Sequence, residues 1–333
     1  MKGKTHSSFI LLGILGLLLS GCGSEQASKE KVTETKPKEE ATFIKKSPDF
    51  NADSAYYFVE KQVGFGPRVT NSEAHRKCGD WMVKVLKQYC DQVIEQRTMI
   101  THFDGKKLNV RNIIASFQPK LKERILLCAH WDSRPFADMD TKDQDKPILG
   151  ANDGASGVGV LLEIARVLNQ KNPMVGVDLV LFDAEDLGKS EHENSFCLGS
   201  QYWSKNPHIP GYSASFGILL DMVGATDAKF AWEQVSIDAA QPVLQNTWQL
   251  AHQLGYGNYF MYYQKGGIID DHYYVNKIAK IPTIDIIHYD AVSSSGFPMH
   301  WHTHQDDMKV IDKNTLKAVG QTLLEVVFST PIQ

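Results

Sequence analysis

Several features that would point to particular classes of protein are scarce or absent in this chain of 333 residues. Its formal net charge is −4, and no basic stripe interleaved with aromatic residues is present. Binding to nucleic acid relies on such a stripe to neutralise phosphates, so we expect no nucleic-acid partner. From about residue 50 to the end there is neither an internal repeat nor a second low-complexity linker, which favours a single folded domain.

The sequence also lacks an apolar run long enough to cross a bilayer as a helix. The N-terminal run from Phe9 to Leu19 is too short for that, follows a basic start and precedes a small-residue site, so residues 1–21 are predicted to be a signal peptide. LSGC resembles the bacterial lipobox, in which cleavage leaves a lipidated cysteine, here Cys22. An uncleaved anchor and an ordinary signal peptide are the alternatives.

The segment after Cys22 is charged and poor in large apolar side chains, so residues 22–46 are predicted to be the lipidated cysteine and a flexible tether. The remaining residues, 47–333, are predicted to form the folded, zinc-dependent catalytic domain. We therefore expect an exported bacterial lipoprotein, anchored to a membrane and either facing the periplasm or in the outer membrane. Gly23, rather than Asp, after the lipidated residue suits outer-membrane sorting.

Cysteine is scarce as well, with only four residues beyond Cys22. Cys78 and Cys90 lie on one predicted amphipathic helix about 18 Å apart, at 1.5 Å per residue, so they cannot bridge each other. Any disulfide of that helix must reach another segment. Export permits oxidation, but the sequence leaves the pairing open.

Short apolar runs and helical patterns are what the rest of the chain does contain. Five runs rich in Ile, Leu and Val are predicted to be buried strands, at 109–117, 124–133, 177–186, 216–225 and 281–290. Helical periodicity is clearest at 155–170, 241–255 and 314–328. This alternation predicts an α/β fold with a single domain, an open and mostly parallel central sheet, and helices on both faces.

Polar side chains are concentrated at the ends of these predicted strands. The second strand ends with His130 and Asp132, the third with Asp183, Glu185 and Asp186, and the fourth with Asp221. In an open α/β sheet, ligands bind outside the carboxyl ends of the strands. We therefore expect these groups to meet in one crevice.

Carboxylates gathered at the ends of apolar strands need a compensating positive charge. Arg134 is the only basic residue nearby in sequence, so a cation is expected. Nitrogen and oxygen donors without thiolate fit Zn²⁺ with three protein ligands and an open position. Asp153 in GANDGAS and the alternating histidines of HWHTHQDDM (300–308) add further donors. Taken singly, each could instead be a cap, a turn former or a loop residue.

The motifs in combination resemble the zinc aminopeptidase superfamily. They are, in order, HWD (130–132), GANDGAS around Asp153, DAED (183–186), LLDMVGA around Asp221, DDH (270–272) and WHT (301–303). WHT, LLDMVGA and DDH make the body, from about residue 50 to 330, more similar to the glutaminyl cyclases of animal type and their bacterial relatives. These enzymes convert the N-terminal glutamine of peptides or proteins to pyroglutamate and release ammonia.

The resemblance implies roles for individual residues. One Zn²⁺ would be held by Asp153, Asp186 and His302. Glu185 would act as general acid and base, in a hydrogen-bonded acidic network with Asp221 and Asp271. Trp301 would shape the substrate pocket, and His300 and His304 would be neighbours rather than ligands.

One departure and two other interpretations accompany this resemblance. Many members of the superfamily carry Glu-Glu where this chain has Glu185-Asp186, which leaves the metal geometry open. A two-zinc aminopeptidase would use Asp153 as a bridging ligand, with His130 and Asp221 on the second ion and Glu185 activating a water. His130 and Asp132 are thus either part of a second metal site or supports behind the first. A lipoprotein that binds peptides without turnover is the third interpretation.

Overall fold

A six-stranded sheet forms the centre of the described chain. The computed structural model describes residues 43–331, which form one compact unit. The predicted signal peptide, Cys22 and most of the predicted tether lie outside the described residues. Among residues 43–331, no helix combines the length and the apolar character needed to cross a bilayer.

Residues 43–331 contain seven helices and eight strands. The helices are α1 Ala52–Val63, α2 Glu73–Tyr89, α3 Ala155–Gln170, α4 Leu198–Lys205, α5 Gln234–Gln253, α6 Asp271–Tyr274 and α7 Lys313–Ser329. The strands are β1 Gln92–Thr101, β2 Lys107–Phe117, β3 Arg124–His130, β4 Gly176–Phe182, β5 Phe216–Asp221, β6 Phe230–Glu233, β7 Phe260–Lys265 and β8 Thr283–Ile287. A π-helical turn, Val275–Ala279, continues α6, and a 3₁₀ turn, Met308–Val310, precedes α7.

The order of strands in the main sheet is β1-β2-β4-β3-β5-β8. The four strands β4, β3, β5 and β8 are mutually parallel, whereas β2 runs antiparallel to both β1 and β4. β6 and β7 form a separate parallel pair. The predicted mostly parallel α/β sheet is therefore confirmed, with an antiparallel hairpin at one edge.

Helices cover both faces of this sheet. Leu127 and Ala129 of β3 pack into the larger core with α1, α2, α3, α5 and α7. Leu126 and Cys128, which alternate with them, pack on the other face against Trp203 of α4 and the π-helical turn. Because both sets of side chains are buried, β3 reads as a continuous apolar run instead of an alternating one.

The predicted strands begin within two residues of the expected positions, but several end earlier. The second ends at His130 instead of residue 133, the third at Phe182 instead of 186, and the fourth at Asp221 instead of 225. Past the strands, the backbone N–H groups of Glu185 and Asp186 donate to the Asp132 carboxylate, at 3.0 and 3.1 Å. The chain therefore leaves the sheet where its polar residues begin.

The described cysteines are all free thiols, and Cys78, Cys128 and Cys197 are buried. Cys78 lies on α2 and Cys90 caps its C-terminus, as the helical pattern predicts. Since no pair is joined within residues 43–331, the body depends on packing rather than on disulfides.

Candidate active site

The carboxyl ends of the parallel strands open into a cavity of about 760 Å³. β3 and β4 are in register there, so that His130 pairs with Phe182, the last residue of β4. The loop before α3 and the loop at 300–304 complete the floor. Its lining includes seven groups relevant to chemistry, namely Asp153, Glu185, Asp186, Asp221, Asp270, Trp301 and His302.

Asp153, Asp186 and His302, the predicted zinc ligands, come together on one wall of this cavity. Each offers one donor atom, and these atoms lie within 4.8 Å of one another. His302 Nε2 is 3.4 Å from Asp186 Oδ1 and 3.8 Å from Asp153 Oδ2. Tetrahedral Zn²⁺ with bonds of about 2.0–2.1 Å separates its donors by roughly 3.4 Å, so the spacing fits zinc.

Two further observations show that this group suits a cation. Asp186 Oδ2 is buried and has no hydrogen-bond partner among the described residues. Burial disfavours a charged imidazole, but the charge of Asp186 and the contact with Asp138 outweigh it and raise the pKa of His302 to about 9. A bound cation replaces that proton, because metal ligation requires neutral histidine.

Arg134 and Asp138 hold two of these three side chains from behind. The buried Arg134 guanidinium donates to both carboxylate oxygens of Asp138 at 2.7 Å and to Asp186 Oδ1 at 3.0 Å. Asp138 Oδ1 in turn lies 3.1 Å from His302 Nδ1. The Oδ1 atom of Asp186 is thus fixed by Arg134, and the Nε2 atom of His302 faces the two aspartates.

Asp153 and His302 are also held through the main chain. The Asp306 carboxylate accepts the N–H groups of Asn152 and Asp153, at 2.7 and 3.1 Å. Next to Asp153, Gly154 leaves room for the His130 ring, since a Cβ there would lie 2.5 Å from its Nε2 atom. His302 adopts a left-handed conformation, φ 56°, which is costly for a residue with a side chain.

The second donor group consists of His130, Asp153 and Asp221, the residues of the two-zinc alternative. His130 Nε2 lies 3.0 Å from Asp153 Oδ1 and 3.2 Å from Asp221 Oδ1. These are hydrogen-bond distances, somewhat shorter than the donor separation around tetrahedral zinc. Asp132 does not line the cavity and lies 3.5 Å from His130 Nδ1, so it supports the histidine and the 185–186 backbone.

Glu185, the predicted general base, is half-buried and reaches the same cavity. Burial, followed by the charge of Asp186, raises the pKa of Glu185 well above its ordinary value. Its Oε1 atom lies 3.3 Å from the Cys197 thiol, a contact that the sequence did not reveal. The surroundings of Glu185 therefore favour the protonated form of its carboxyl group.

The two adjacent aspartates of DDH take different positions. Asp270, named in the sequence analysis only as part of the motif, lines the cavity, with an oxygen within 4.8 Å of donor atoms of Glu185 and Cys197. Asp271, predicted for the acidic network, is fully buried, and neither of its oxygens has a hydrogen-bond partner among the described residues. Burial raises the pKa of both, that of Asp270 to about 6.

A fully buried polar layer lies beside this pair. His272 Nε2 is 3.0 Å from Glu233 Oε1, and His272 Nδ1 is 3.8 Å from Asp285 Oδ2. Burial, together with the charge of Asp270, raises the pKa of Asp285 well above its ordinary value.

Aromatic side chains form another part of the cavity wall. The Trp301 ring stacks on His302, with centroids 3.7 Å apart, and meets Phe297 at 4.6 Å. His300 contacts the Asn152 amide at 3.2 Å, and the exposed His304 contacts Asp140. Neither belongs to the donor groups, in keeping with the prediction that both are neighbours.

Comparison with known proteins identifies the family. Residues 112–327 match the sequence profile of peptidase family M28. The chain belongs to peptidase family M28. A glutaminyl cyclase from Tannerella forsythia is 50% identical to this M28 protein, with a TM-score of 0.84 over 85% of this chain and 100% of the other.

Two other relatives agree with this M28 assignment. A Zn-dependent exopeptidase from Parabacteroides distasonis is 52% identical, with a TM-score of 0.84 over 85% of this chain and 100% of that one. A glutaminyl-peptide cyclotransferase from Bos taurus is 25% identical over 73% of this chain and 72% of its own length. The M28 protein therefore lies among the glutaminyl cyclases of the zinc aminopeptidase-like superfamily, as its motifs predict, and zinc is the metal that suits its donor set.

Proposed function

We propose that this protein is a zinc-dependent glutaminyl-peptide cyclotransferase, which converts the N-terminal glutamine of peptides or proteins to pyroglutamate and releases ammonia. One observation carries the proposal. Three side chains that can hold a metal ion, Asp153, Asp186 and His302, line the same cavity as the carboxyl group of Glu185. Similarity to glutaminyl cyclases from a bacterium and from cattle supports the same activity.

The reaction needs an amine and an amide of the same residue to meet, without water. The cavity confines the glutamine side chain between the Trp301 wall and the carboxylates, so that the α-amine nitrogen faces the γ-carbonyl carbon. Glu185 takes a proton from the α-amine as the new C–N bond forms. It returns that proton to the γ-amide nitrogen as the old C–N bond breaks, which gives the lactam and ammonia.

A single Zn²⁺ held by Asp153, Asp186 and His302 would polarise the γ-carbonyl oxygen as a Lewis acid. Arg134 keeps Asp186 oriented toward that position, and Asp138 orients His302. Burial and the charges of Asp186, Asp270 and Asp271 raise the pKa of Glu185 and so favour its protonated form. Glu185 then both accepts and donates within one turnover.

The alternative function is a two-zinc aminopeptidase. The relative from Parabacteroides distasonis is named a Zn-dependent exopeptidase. Cyclisation needs no hydroxide nucleophile, so one metal position suffices, whereas a two-zinc peptidase needs His130 and Asp221 as separate ligands. In this structure His130 Nε2 lies within 3.2 Å of carboxylate oxygens of both Asp153 and Asp221, and a second ion would have to replace these contacts.

The deciding experiment incubates the purified zinc-loaded protein with a peptide that begins with glutamine and, separately, with one that begins with leucine. We expect ammonia and an intact, cyclised peptide from the first and no reaction with the second. Release of free N-terminal amino acid from either peptide would establish the peptidase instead. Binding of both peptides without any product would favour the non-catalytic interpretation.

We also propose that Cys22 is lipidated and anchors the protein to a membrane outside the cytoplasm. The LSGC motif and the polar stretch before the folded domain support this. Phase separation in a cloud-point detergent tests it, because a lipidated chain enters the detergent phase. Cys22→Ser should move the protein to the aqueous phase or block its processing; equal partition of both forms would reject the anchor.

A further inference from the structure

One buried thiol contacts the proposed general base. Cys197 is 0% exposed, and its Sγ atom lies 3.3 Å from Glu185 Oε1. The other carboxylate oxygen, Oε2, accepts no hydrogen bond within residues 43–331. We infer that Cys197 is a positioning residue for the reaction: its thiol donates to Oε1 and thereby leaves Oε2 free to exchange a proton with substrate.

The backbone around Cys197 supports this interpretation independently of the thiol. Its N–H donates to the Glu185 carbonyl at 2.9 Å, and the N–H of Leu198 donates to the Ala184 carbonyl at 2.9 Å. Both Ala184 and Cys197 are left-handed, with φ of 57° and 56°, which is unfavourable for residues with a Cβ. The chain thus keeps two costly conformations that bring the two segments together.

The Cys197 side chain does not cap the helix that it precedes. Cys197 is the N-cap residue of α4, where a side-chain oxygen usually accepts a hydrogen bond from the first turn. Its side chain makes no such capping bond. Instead it faces the carboxylate of Glu185, which lies twelve residues earlier in the chain.

The chemistry of the thiol fits donation rather than attack or metal binding. Burial, followed by the charge of Glu185, raises the pKa of Cys197 well above its ordinary value. Thiolate is the form that attacks electrophiles and binds metals, and burial suppresses it. A protonated thiol is a weak donor, so it can orient Glu185 without fixing that group permanently in its ionised form.

The inference rests on the proposed cyclisation and is tested by changes at Cys197 in the zinc-loaded full-length protein. Cys197→Val keeps an apolar side chain of similar size but removes the donor, whereas Cys197→Ser keeps a donor. The matched control is Cys128→Val, because Cys128 is equally buried and its thiol reaches only the Ile218 carbonyl, at 3.7 Å. The readouts are kcat and KM for a glutamine peptide, the zinc content and the melting temperature.

We expect Cys197→Val to lower kcat about tenfold, the size expected for one hydrogen bond to a charged group, with KM and zinc content unchanged. Cys197→Ser should restore kcat to within about threefold of the parent, because a hydroxyl donates to the same oxygen. Cys128→Val should keep the parental kcat even if it melts earlier.

Three outcomes would overturn the inference. Parental kcat in Cys197→Val would show that the thiol does not position Glu185. Equal losses in Cys197→Val and Cys128→Val, or in the Val and Ser variants of Cys197, would assign the effect to packing. Loss of zinc would assign it to assembly of the metal site. Failure of the proposed function is distinguishable, since the parent protein itself would then release no ammonia.

Discussion

The two donor groups that share Asp153 are built differently. The first, with Asp186 and His302, is supported from outside by Arg134 and Asp138 and keeps a buried oxygen without a partner. In the second, His130 Nε2 lies between Asp153 and Asp221 at 3.0 and 3.2 Å. The first therefore has an unpartnered carboxylate oxygen, whereas in the second His130 Nε2 has two carboxylate neighbours and His130 Nδ1 has no hydrogen-bond partner among the described residues.

This difference bears on whether the protein binds one metal ion or two. Outer contacts that fix the orientation of ligands strengthen metal binding, and only the first group has them from a buried arginine. Burial and the charge of Asp186 raise the pKa of Glu185, and the charge of His130 in the second group opposes them. The predictions below test that division, from the largest expected effect to the smallest.

His302→Ala should abolish stable metal binding and activity together. It removes the only imidazole of the first group, and we expect zinc affinity to fall by more than the roughly 10–100-fold typical of changes behind the ligands. Elemental analysis of the purified variant measures the loss. Full zinc occupancy in His302→Ala would remove this residue from the site.

Glu185→Gln should separate metal binding from chemistry. The amide keeps the size of the side chain but cannot shuttle a proton, so kcat should fall by about 10²–10⁴ while zinc content remains parental. Parallel assays of ammonia release and bound zinc provide the check. Equal turnover in variant and parent would refute the assigned role.

Arg134→Lys should weaken zinc binding without removing it. Lysine cannot bridge Asp138 and Asp186 at once, since it lacks the planar fork of arginine, and we expect a loss of about 10–100-fold in zinc affinity. Competition with a chelating dye measures that affinity. Arg111→Lys is the matched control, because Arg111 is also buried and pairs with Asp80 and Glu95 away from the cavity.

A control that weakened zinc binding equally would show that the Arg134 effect reflects general loss of stability.

Asp138→Asn tests the same support at Asp138, the residue that contacts both Arg134 and His302. It keeps the shape of the side chain but reduces the negative charge that faces His302 Nδ1 and Arg134. We expect an effect in the same direction and of similar or smaller size, and unchanged affinity would limit the support to Arg134.

The sequence was sufficient to predict five of the six strands of the main sheet and the meeting of their polar ends. Apolar runs mark β2, β3, β4, β5 and β8 because these strands are buried, and α3 was predicted with its observed bounds, Ala155–Gln170. The edge strand β1 was missed, because its QVIEQRTMIT sequence is half exposed and polar. In α5 the prediction began near Pro242, whereas the helix begins at Gln234 and is kinked at Ala240.

The finer parts of the candidate site could not be predicted in this way. Asp270 and Asp271 are neighbours in sequence, and only the start of α6 decides which of them lines the cavity. The contact between Cys197 and Glu185 depends on two left-handed residues, for which no glycine or proline gave a signal. The Arg134 contacts require the path of a long loop, which composition does not determine.

His130→Asn should have the smallest effect on metal content. If the second group is a hydrogen-bonded support, the zinc-to-protein ratio stays at one per chain and activity falls less than about tenfold. The loss of a buried partner for Asp153 and Asp221 should lower the free energy of unfolding by about 1–3 kcal/mol. A two-zinc enzyme would instead lose one of two ions. Elemental analysis beside thermal unfolding distinguishes them: two ions in the parent and one in the variant would show that both groups bind metal.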